Sequence, residues 1–471
     1  MTTFHDQALA YLRGEMNAQE RTAFEDALLH SEDLRAELES SRALLDMLDA
    51  ASQESIVRQV NAHIQQAIRD RASDIHVIPG AGAAECQSEP RSTTVFYRID
   101  GQLIEAAKLP AAQHRALVDR WKIMAEMNIA EQRVPQDGRI LVRYEKKEFD
   151  LRVSVLPTVT GERVTARILD RSGVLLDLDK LGMDANTLAA VKRMVERPHG
   201  YVVLAGTAAS GKTTFAYALL RHLQAFGQGH LNILTVEDPV EYQIQGISQT
   251  GVNRRDGMTY PIFLRSMMRS DPDVIYVGET RNEETAQLSI EAAVTGHIVL
   301  SQLHVASAIQ TVQRLRDIGI VNHLLASNLV GAIGMRLVRR VCQDCAADYV
   351  PAARDLARAG LSLVEDGPFR RGVGCDKCRQ TGYRGRIGLF EAWEVDDHIK
   401  TMIADKVDLY TLWQETFGRR GGSLWDDARE KIRRGLVTVE DVSWALFDYP
   451  HPRSGMATLS NVSDIIDLSE I

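Results

Sequence analysis

Apolar residues in the first fifty positions fall at Leu9, Leu12 and Met16, then at Phe24, Leu28, Leu34 and Leu38, spacings of three, four or six that suit amphipathic helices. Asn17 followed by Glu20 predicts a capping box at one helix start. This helical extension, residues 1–50, ends at a polar stretch read as a linker over 51–55. The period then drops to two: Val95, Tyr97 and Ile99, and later Leu151, Val153 and Val155, alternate with polar neighbours and predict strands of a mixed α/β domain over 56–172. From Gly200 onward, short apolar runs at Tyr201–Leu204, Leu231–Val236, Val274–Val277 and Ile298–Leu300 alternate with helical stretches. Strands buried on both faces read in this way, so the rhythm predicts an α/β fold with a doubly wound parallel sheet over 173–396. A helical region over 397–450 follows, and the Pro-, Gly- and Ser-bearing tail 451–471 has too little apolar content to fold.

A chain of 471 residues with 45% hydrophobic content exceeds the roughly 250–300 residues at which one core stops growing, in keeping with several units. Its formal net charge of -9 and 6% aromatic content argue against stable nucleic-acid binding, which relies on excess Lys and Arg or on stacking rings. There is no run of 18 apolar residues, and Met1–Glu15 carries His5, Asp6 and Arg13 where a signal peptide would be apolar. A cytoplasmic location is expected. Arginines gather between Arg314 and Arg340 and at Arg370, Arg371, Arg419, Arg420, Arg433 and Arg434, so one face could meet an acidic loop or lipid headgroups peripherally.

The strongest chemical signal is Gly206-Thr207-Ala208-Ala209-Ser210-Gly211-Lys212-Thr213, which fits G-x-x-x-x-G-K-[ST], follows the strand Tyr201–Leu204 and runs into a helical stretch from Thr214. Backbone N–H groups at a helix N-terminus wrap phosphates, Lys212 supplies charge to the β and γ phosphates of a nucleoside triphosphate, and the Thr213 hydroxyl suits Mg²⁺. Two acidic segments, Val236–Glu241 and Asp271–Glu279, end on strands at the edge of the sheet where open α/β folds bind ligands, and so suit Mg²⁺ and the attacking water.

Four of the five cysteines form two C-x2-C pairs, Cys342 with Cys345 and Cys375 with Cys378, which predict a closed, structural Zn²⁺ site in a module over 340–392. Gly372 to Gly388 is glycine-rich and gains a scaffold from such a metal. Cys86 is left over and is read as inert.

Arg269-Ser-Asp-Pro-Asp-Val-Ile-Tyr-Val-Gly-Glu-Thr-Arg281, followed by Thr295-Gly-His297 and Leu303-His304, resembles the type II secretion and type IV pilus assembly ATPases. The likeness reaches upstream through Ala72–His76, Arg98–Gly101, Pro135–Arg139, Arg152–Pro157 and Gly161–Arg163, and downstream to about Leu446. It implies a RecA-like ATPase domain after a PAS-like domain. It also implies Mg²⁺ or nucleophile contact for Glu279, a base role for Glu237, and positions near the nucleotide for His297 and His304. Arg152 and Arg167 match arginines that reach the γ phosphate. The family further implies a homo-hexamer at the inner face of the inner membrane, a platform protein there, a membrane-anchored partner with a cytoplasmic domain, and assembly rather than retraction, since retraction ATPases lack the cysteines.

Two features depart from the resemblance. Thr207, Ala208 and Ala209 stand where the family prefers Pro, Thr and Gly, which leaves a weakly active nucleotide-binding scaffold as the rival reading; a nucleic-acid motor is the other. Ala8–Met16, Glu20–Glu25 and Leu34–Leu38 faintly resemble anti-sigma zinc-finger helices, with Ala27, Ser31 and Leu34 in place of metal ligands. These helices are therefore a metal-free docking module or a helical hairpin.

Overall fold

The computed structural model describes residues 4–12, 15–80, 92–170, 177–253 and 256–449; Cys86 and the tail 451–471 lie outside them. The chain divides into two compact units, Met1–Ser172 and Gly173–Ile471.

In the first unit, helices Phe4–Leu12, Ala18–His30 and Glu32–Arg69 precede six strands: β1 (Asp74–Pro79), β2 (Ser92–Ile99), β3 (Gln102–Pro110), β4 (Gln136–Tyr144), β5 (Lys147–Thr158) and β6 (Gly161–Asp170). Asn17 closes its capping box with Glu20. Phe24, Ala8 and Leu34 form a small core of their own, with Tyr11 stacked against Phe24. The linker expected at 51–55 is instead part of the third helix, which runs unbroken to Arg69. Ser, Gln and Glu are only modestly unfavourable in helices, and without Pro or Gly nothing interrupts the ladder.

The six strands form one antiparallel sheet in the order β3-β2-β1-β6-β5-β4. Alternation sorts its faces. Ile75, Val77, Val95, Tyr97, Leu151, Val153, Val155, Val164 and Ala166 pack with Ile56, Val60 and Ile64 of the long helix and with Leu117, Val118 and Trp121 of helix His114–Met124. The other face is charged. Arg98, Asp74, Arg167, Arg152 and Arg139 stand directly opposite one another across β2, β1, β6, β5 and β4.

The second unit is built on β7 (Gly200–Ala205), β8 (Ile233–Glu237), β9 (Ser248–Gly251), β10 (Val274–Val277), β11 (Ile298–Leu303), β12 (Leu329–Val341) and β15 (Tyr383–Glu394), with β13 (Ala346–Tyr349) and β14 (Phe369–Gly372) forming a separate ribbon. The sheet order is β15-β12-β7-β11-β10-β8-β9. Helices cover both faces, which is why the central strands read as continuous apolar runs. Tyr201, Val203, Ile275, Val277 and Val299 face one layer; Val202, Leu204, Val274, Tyr276 and Leu300 face the other, with Phe215 and Leu219 of helix Lys212–Phe226.

The sheet is not wholly parallel as expected, because β15 returns antiparallel to β12. The glycine-rich stretch from Gly372 to Gly388 accordingly ends inside a sheet strand. Helices Leu424–Arg433 and Val439–Ala445 then pack Leu424, Trp425, Ile432, Val439 and Val442 against Val338 and Leu389 of that strand pair. Among the described residues no helix is long and apolar enough to cross a membrane.

Candidate functional site

The phosphate loop leaves β7 at Ala205 and enters helix Lys212–Phe226 at the C-terminal edge of the sheet. Two of its residues adopt left-handed backbone, Ala209 at φ 59° and Gly211 at φ 94°, a turn that strains Ala209 and suits Gly211. At Gly206 a Cβ would collide with Ser210 Oγ and lie 3.1 Å from the Met335 carbonyl, so the loop closes only around glycine. Ser210 Oγ is buried without a hydrogen-bond partner among the described residues. Thr207, Ala208 and Ala209 are exposed at the rim, as is Thr214, with Thr213 half-buried at the helix start. A loop of this shape with unspent helix N–H groups fits a phosphate chain.

Lys212 lies buried across the loop, its Nζ donating to the carbonyls of Gly206 (2.8 Å) and Thr207 (2.9 Å). Its Nζ is also 3.4 Å from His304 Nδ1, and His304 Nε2 is 3.3 Å from Glu279 Oε1. An ammonium on Nδ1 and a carboxylate on Nε2 are jointly satisfied by a neutral imidazole carrying its proton on Nε2. Burial, helped by Lys212, holds the His304 pKa below its ordinary value. Burial also pushes Lys212 down to about 8, against the pull of Glu279. At Glu279 burial acts upward, but the hydrogen bond and charge of Arg281, whose guanidinium is 2.6 Å away, outweigh it and hold the carboxyl low. Lys212, His304 and Glu279 thus form one contiguous polar line from loop to strand end.

Glu237 ends β8, beside β10. It is buried and fully engaged: Tyr217 donates its hydroxyl to Oε2, while Thr235 Oγ1 (2.6 Å) and Gln249 Nε2 (3.1 Å) donate to Oε1. Burial raises its pKa despite those three donors. Tyr217 and Gln249 were not anticipated; a hydroxyl inside the apolar helix run after the loop was the available hint.

His297 is the exception. It precedes β11 where His304 follows it, so the two imidazoles sit at opposite ends of a strand, roughly 20 Å apart at about 3.3 Å per residue. His297 Nδ1 lies 2.7 Å from the Ala292 carbonyl and its own carbonyl accepts from Gly200, where β7 begins rather than where the loop emerges. The two histidines expected near the nucleotide are thus not brought together: within this chain His304 lies beside the phosphate loop and His297 does not.

Arg152 and Arg167, fifteen residues apart in sequence, are direct cross-strand partners on the charged face of the first unit. Arg167 Nε is 3.2 Å from the nearly buried Asp74, whose other oxygen is 3.9 Å from Arg98. Like charges facing each other across a sheet are unfavourable, and Asp74 offsets this.

Cys342, Cys345, Cys375 and Cys378 bring their sulfurs within 4.8 Å of one another. The Sγ separations are 3.9 Å for Cys342–Cys375, 3.8 Å for Cys345–Cys378 and 3.6 Å for Cys375–Cys378. A tetrahedron with Zn–S bonds of about 2.3 Å has edges of about 3.8 Å, whereas a disulfide would be about 2.05 Å. Backbone N–H groups of Cys375 and Gly382 point at Cys378 Sγ from 3.2 and 3.3 Å, as they would at a thiolate. The donor set fits a four-coordinate soft metal with no open position.

The type II/IV secretion system protein family matches residues 49–444. The chain belongs to that family, the type II/IV secretion system ATPases. It is 42% identical over 397 residues to the type II secretion system protein HxcR of Pseudomonas aeruginosa, covering 84% of this chain and 78% of the relative. It is 38% identical over 426 residues to the type II secretion system ATPase E of Vibrio cholerae, covering 90% and 82%. Among solved structures it shares its fold with the pilus retraction motor PilT bound to ADP (TM-score 0.53, 23% identity, covering 81% of this chain and 95% of that one). The Legionella pneumophila ATPase DotB is likewise similar (TM-score 0.59, 17% identity, covering 82% and 94%).

Proposed function

We propose that this secretion-family chain hydrolyses ATP to power assembly of a type II secretion pseudopilus or a type IV pilus. The observation that carries the reading is the Lys212–His304–Glu279 line at the mouth of a glycine-closed phosphate loop. A nucleotide's β and γ phosphates draw the Lys212 ammonium from the carbonyls of Gly206 and Thr207, while the N–H groups from Ala208 to Thr214 and the Ser210 hydroxyl wrap the chain. Thr213 and Glu279 would hold Mg²⁺, which would supply charge neutralisation at the transferred phosphoryl group. Glu279, kept ionised by Arg281, orients the attacking water; Glu237, buried and held by three donors, fixes the neighbouring strand end and is the reserve base.

Arg152 and Arg167 complete the reading as paired cations for the γ phosphate, with Asp74 holding Arg167, in the manner of an arginine finger. The second unit is then a RecA-like core and the first a PAS-like domain. The four cysteines hold Zn²⁺ structurally. The ring is a homo-hexamer, cytoplasmic and peripheral at the inner membrane, working on a platform protein, with no stable nucleic-acid partner. The helices Phe4–Leu12 and Ala18–His30, which lie outside the family match, serve as a metal-free dock for the membrane-anchored component.

The exposed Thr207-Ala208-Ala209 rim favours one rival, a scaffold that binds nucleotide without useful turnover. Comparing wild type with Lys212→Ala and Glu279→Gln, with and without the platform's cytoplasmic domain, separates the two: wild-type turnover no higher than that of the variants overturns the motor.

A further inference from the structure

Glu391 is a carboxylate with no exposure at all, in the apolar run Leu389-Phe-Glu-Ala-Trp393 of β15. It faces Gly334 of β12, where a Cβ would strike its Oε1, so the strand pair is built to admit it. Oε1 accepts the Ala308 N–H at 2.6 Å, and Oε2 accepts the Tyr449 hydroxyl. Two residues along the facing strand, Arg336 is also nearly buried and donates to the Ala306 carbonyl at 2.5 Å and to the Met335 carbonyl at 2.9 Å. Both grips fall on the turn that leaves β11, the turn that begins with His304. Gln310 Oε1 completes it by accepting the Ala306 N–H at 2.9 Å.

The same strand pair reaches the phosphate loop, since Gly334 is registered with Ala205 and the Met335 carbonyl abuts Gly206. A buried carboxylate is costly unless its hydrogen bonds are needed; an apolar replacement would strand the Ala308 N–H in the core. Burial pushes the Glu391 pKa up to about 7, so the group also sits where either protonation form accepts from Ala308.

We propose that Glu391 is a positioning residue for nucleotide hydrolysis, holding with Arg336 the Ala306–Ala308 turn so that His304 meets Lys212 and Glu279, and that Tyr449 ties the C-terminal segment to this device. Tyr449 lies beyond the family match, which ends at residue 444. The inference rests on the ATPase reading above, and its test separates the two.

The full-length protein carries Glu391→Ala, Glu391→Gln, Tyr449→Phe and His304→Ala, and Glu391→Ala is combined with His304→Ala. Glu391→Ala is expected to lower kcat at least about tenfold with KM within about threefold; Glu391→Gln, which keeps an acceptor for Ala308, recovers most of that loss. In the His304→Ala background the effect of Glu391→Ala disappears, the non-additivity expected of groups acting through one another. Full additivity overturns the proposal, because it makes Glu391 merely structural. Amide exchange is read in parallel on the peptide spanning 304–309: exchange at least about tenfold faster in Glu391→Ala, with the phosphate-loop helix unchanged, supports positioning, and unchanged protection overturns it. If Glu391→Ala does not fold, Tyr449→Phe carries both readouts, with a kcat loss of about threefold expected and no loss and no exchange change overturning the tie. Absence of wild-type turnover refutes the ATPase reading alone and leaves the exchange measurement to decide the positioning.

Discussion

Lys212 Nζ stands 3.4 Å from Nδ1 of His304, ninety-two residues later in the chain, and the imidazole passes the contact on to Glu279. A neutral ring between a cation and an anion orients both and adds no net charge. His304→Ala should therefore lower kcat by about ten- to a hundredfold, in the range of a lost electrostatic or general-acid contact, while nucleotide affinity changes little. Lys212→Ala should abolish tight nucleotide binding as well. Fluorescent-nucleotide titration beside steady-state kinetics checks both; a His304→Ala variant that loses affinity and keeps kcat would assign His304 to ground-state binding instead.

Glu237 and Glu279 differ in surroundings, and the difference predicts opposite signatures. Glu237→Ala leaves Tyr217, Thr235 and Gln249 with unspent donors in a buried site, at about 1–3 kcal/mol for each group stranded. Glu279 is partly exposed and paired with the exposed Arg281, so Glu279→Gln should change stability by under about 1 kcal/mol while lowering kcat at least about a hundredfold. Urea unfolding of both variants beside turnover reads the contrast, and equal stability losses would refute it.

Much of the candidate site could be read without coordinates because its parts are local: loop spacing, strand ends and cysteine pairs are written in a few consecutive residues each. What could not be read depends on partners far along the chain. The β12–β15 pair was hidden because Gly331, Gly334 and Gly388 break the β-rich pattern, each being a place where a neighbour presses on the backbone. The separation of His297 from His304 was hidden because seven residues span one helical turn pair or one whole strand with very different reach. Glu391 carried a signal, a lone acid in an apolar strand, but its partners Ala308 and Tyr449 are 83 and 58 residues away.

Stability should carry a pH signature from Glu391. Its folded pKa, raised by burial to about 7, exceeds the ordinary carboxyl value of 4.5, so the native state binds a proton that the unfolded chain has released. The native state is then relatively favoured below about pH 4.5 and loses that advantage as pH rises towards 7, by about 3 kcal/mol from a shift of this size at about 1.4 kcal/mol per unit. Glu391→Gln cannot ionise and escapes the loss. The difference in melting temperature between Glu391→Gln and wild type should grow from pH 4.5 to pH 7 and level off above it; a difference independent of pH would place the ionisation elsewhere.

Removing metal from the four thiols should loosen one part of the second unit and spare the rest. The cysteines join two ends of a segment, Cys342–Cys345 and Cys375–Cys378, whose ribbon β13–β14 has only four residue pairs of its own. Their backbones are drawn together so closely that Gly372 and Gly382 touch, with Gly382 at φ 76°. Without metal the thiols contribute little, whereas Zn²⁺ bound to four thiolates supplies about 10–16 kcal/mol in small zinc peptides. The contacts of Val338 and Leu389 with Leu424, Trp425 and Ile432 lie outside that segment and should hold the strand pair beside the phosphate loop. Elemental analysis should give one zinc per chain, falling to none in Cys375→Ser with Cys378→Ser. Chelation should then speed proteolysis within 346–382 while nucleotide binding at the loop persists. Loss of nucleotide binding together with the metal would show that the module supports the loop directly, and full retention of native resistance to proteolysis would show that the thiols need no metal.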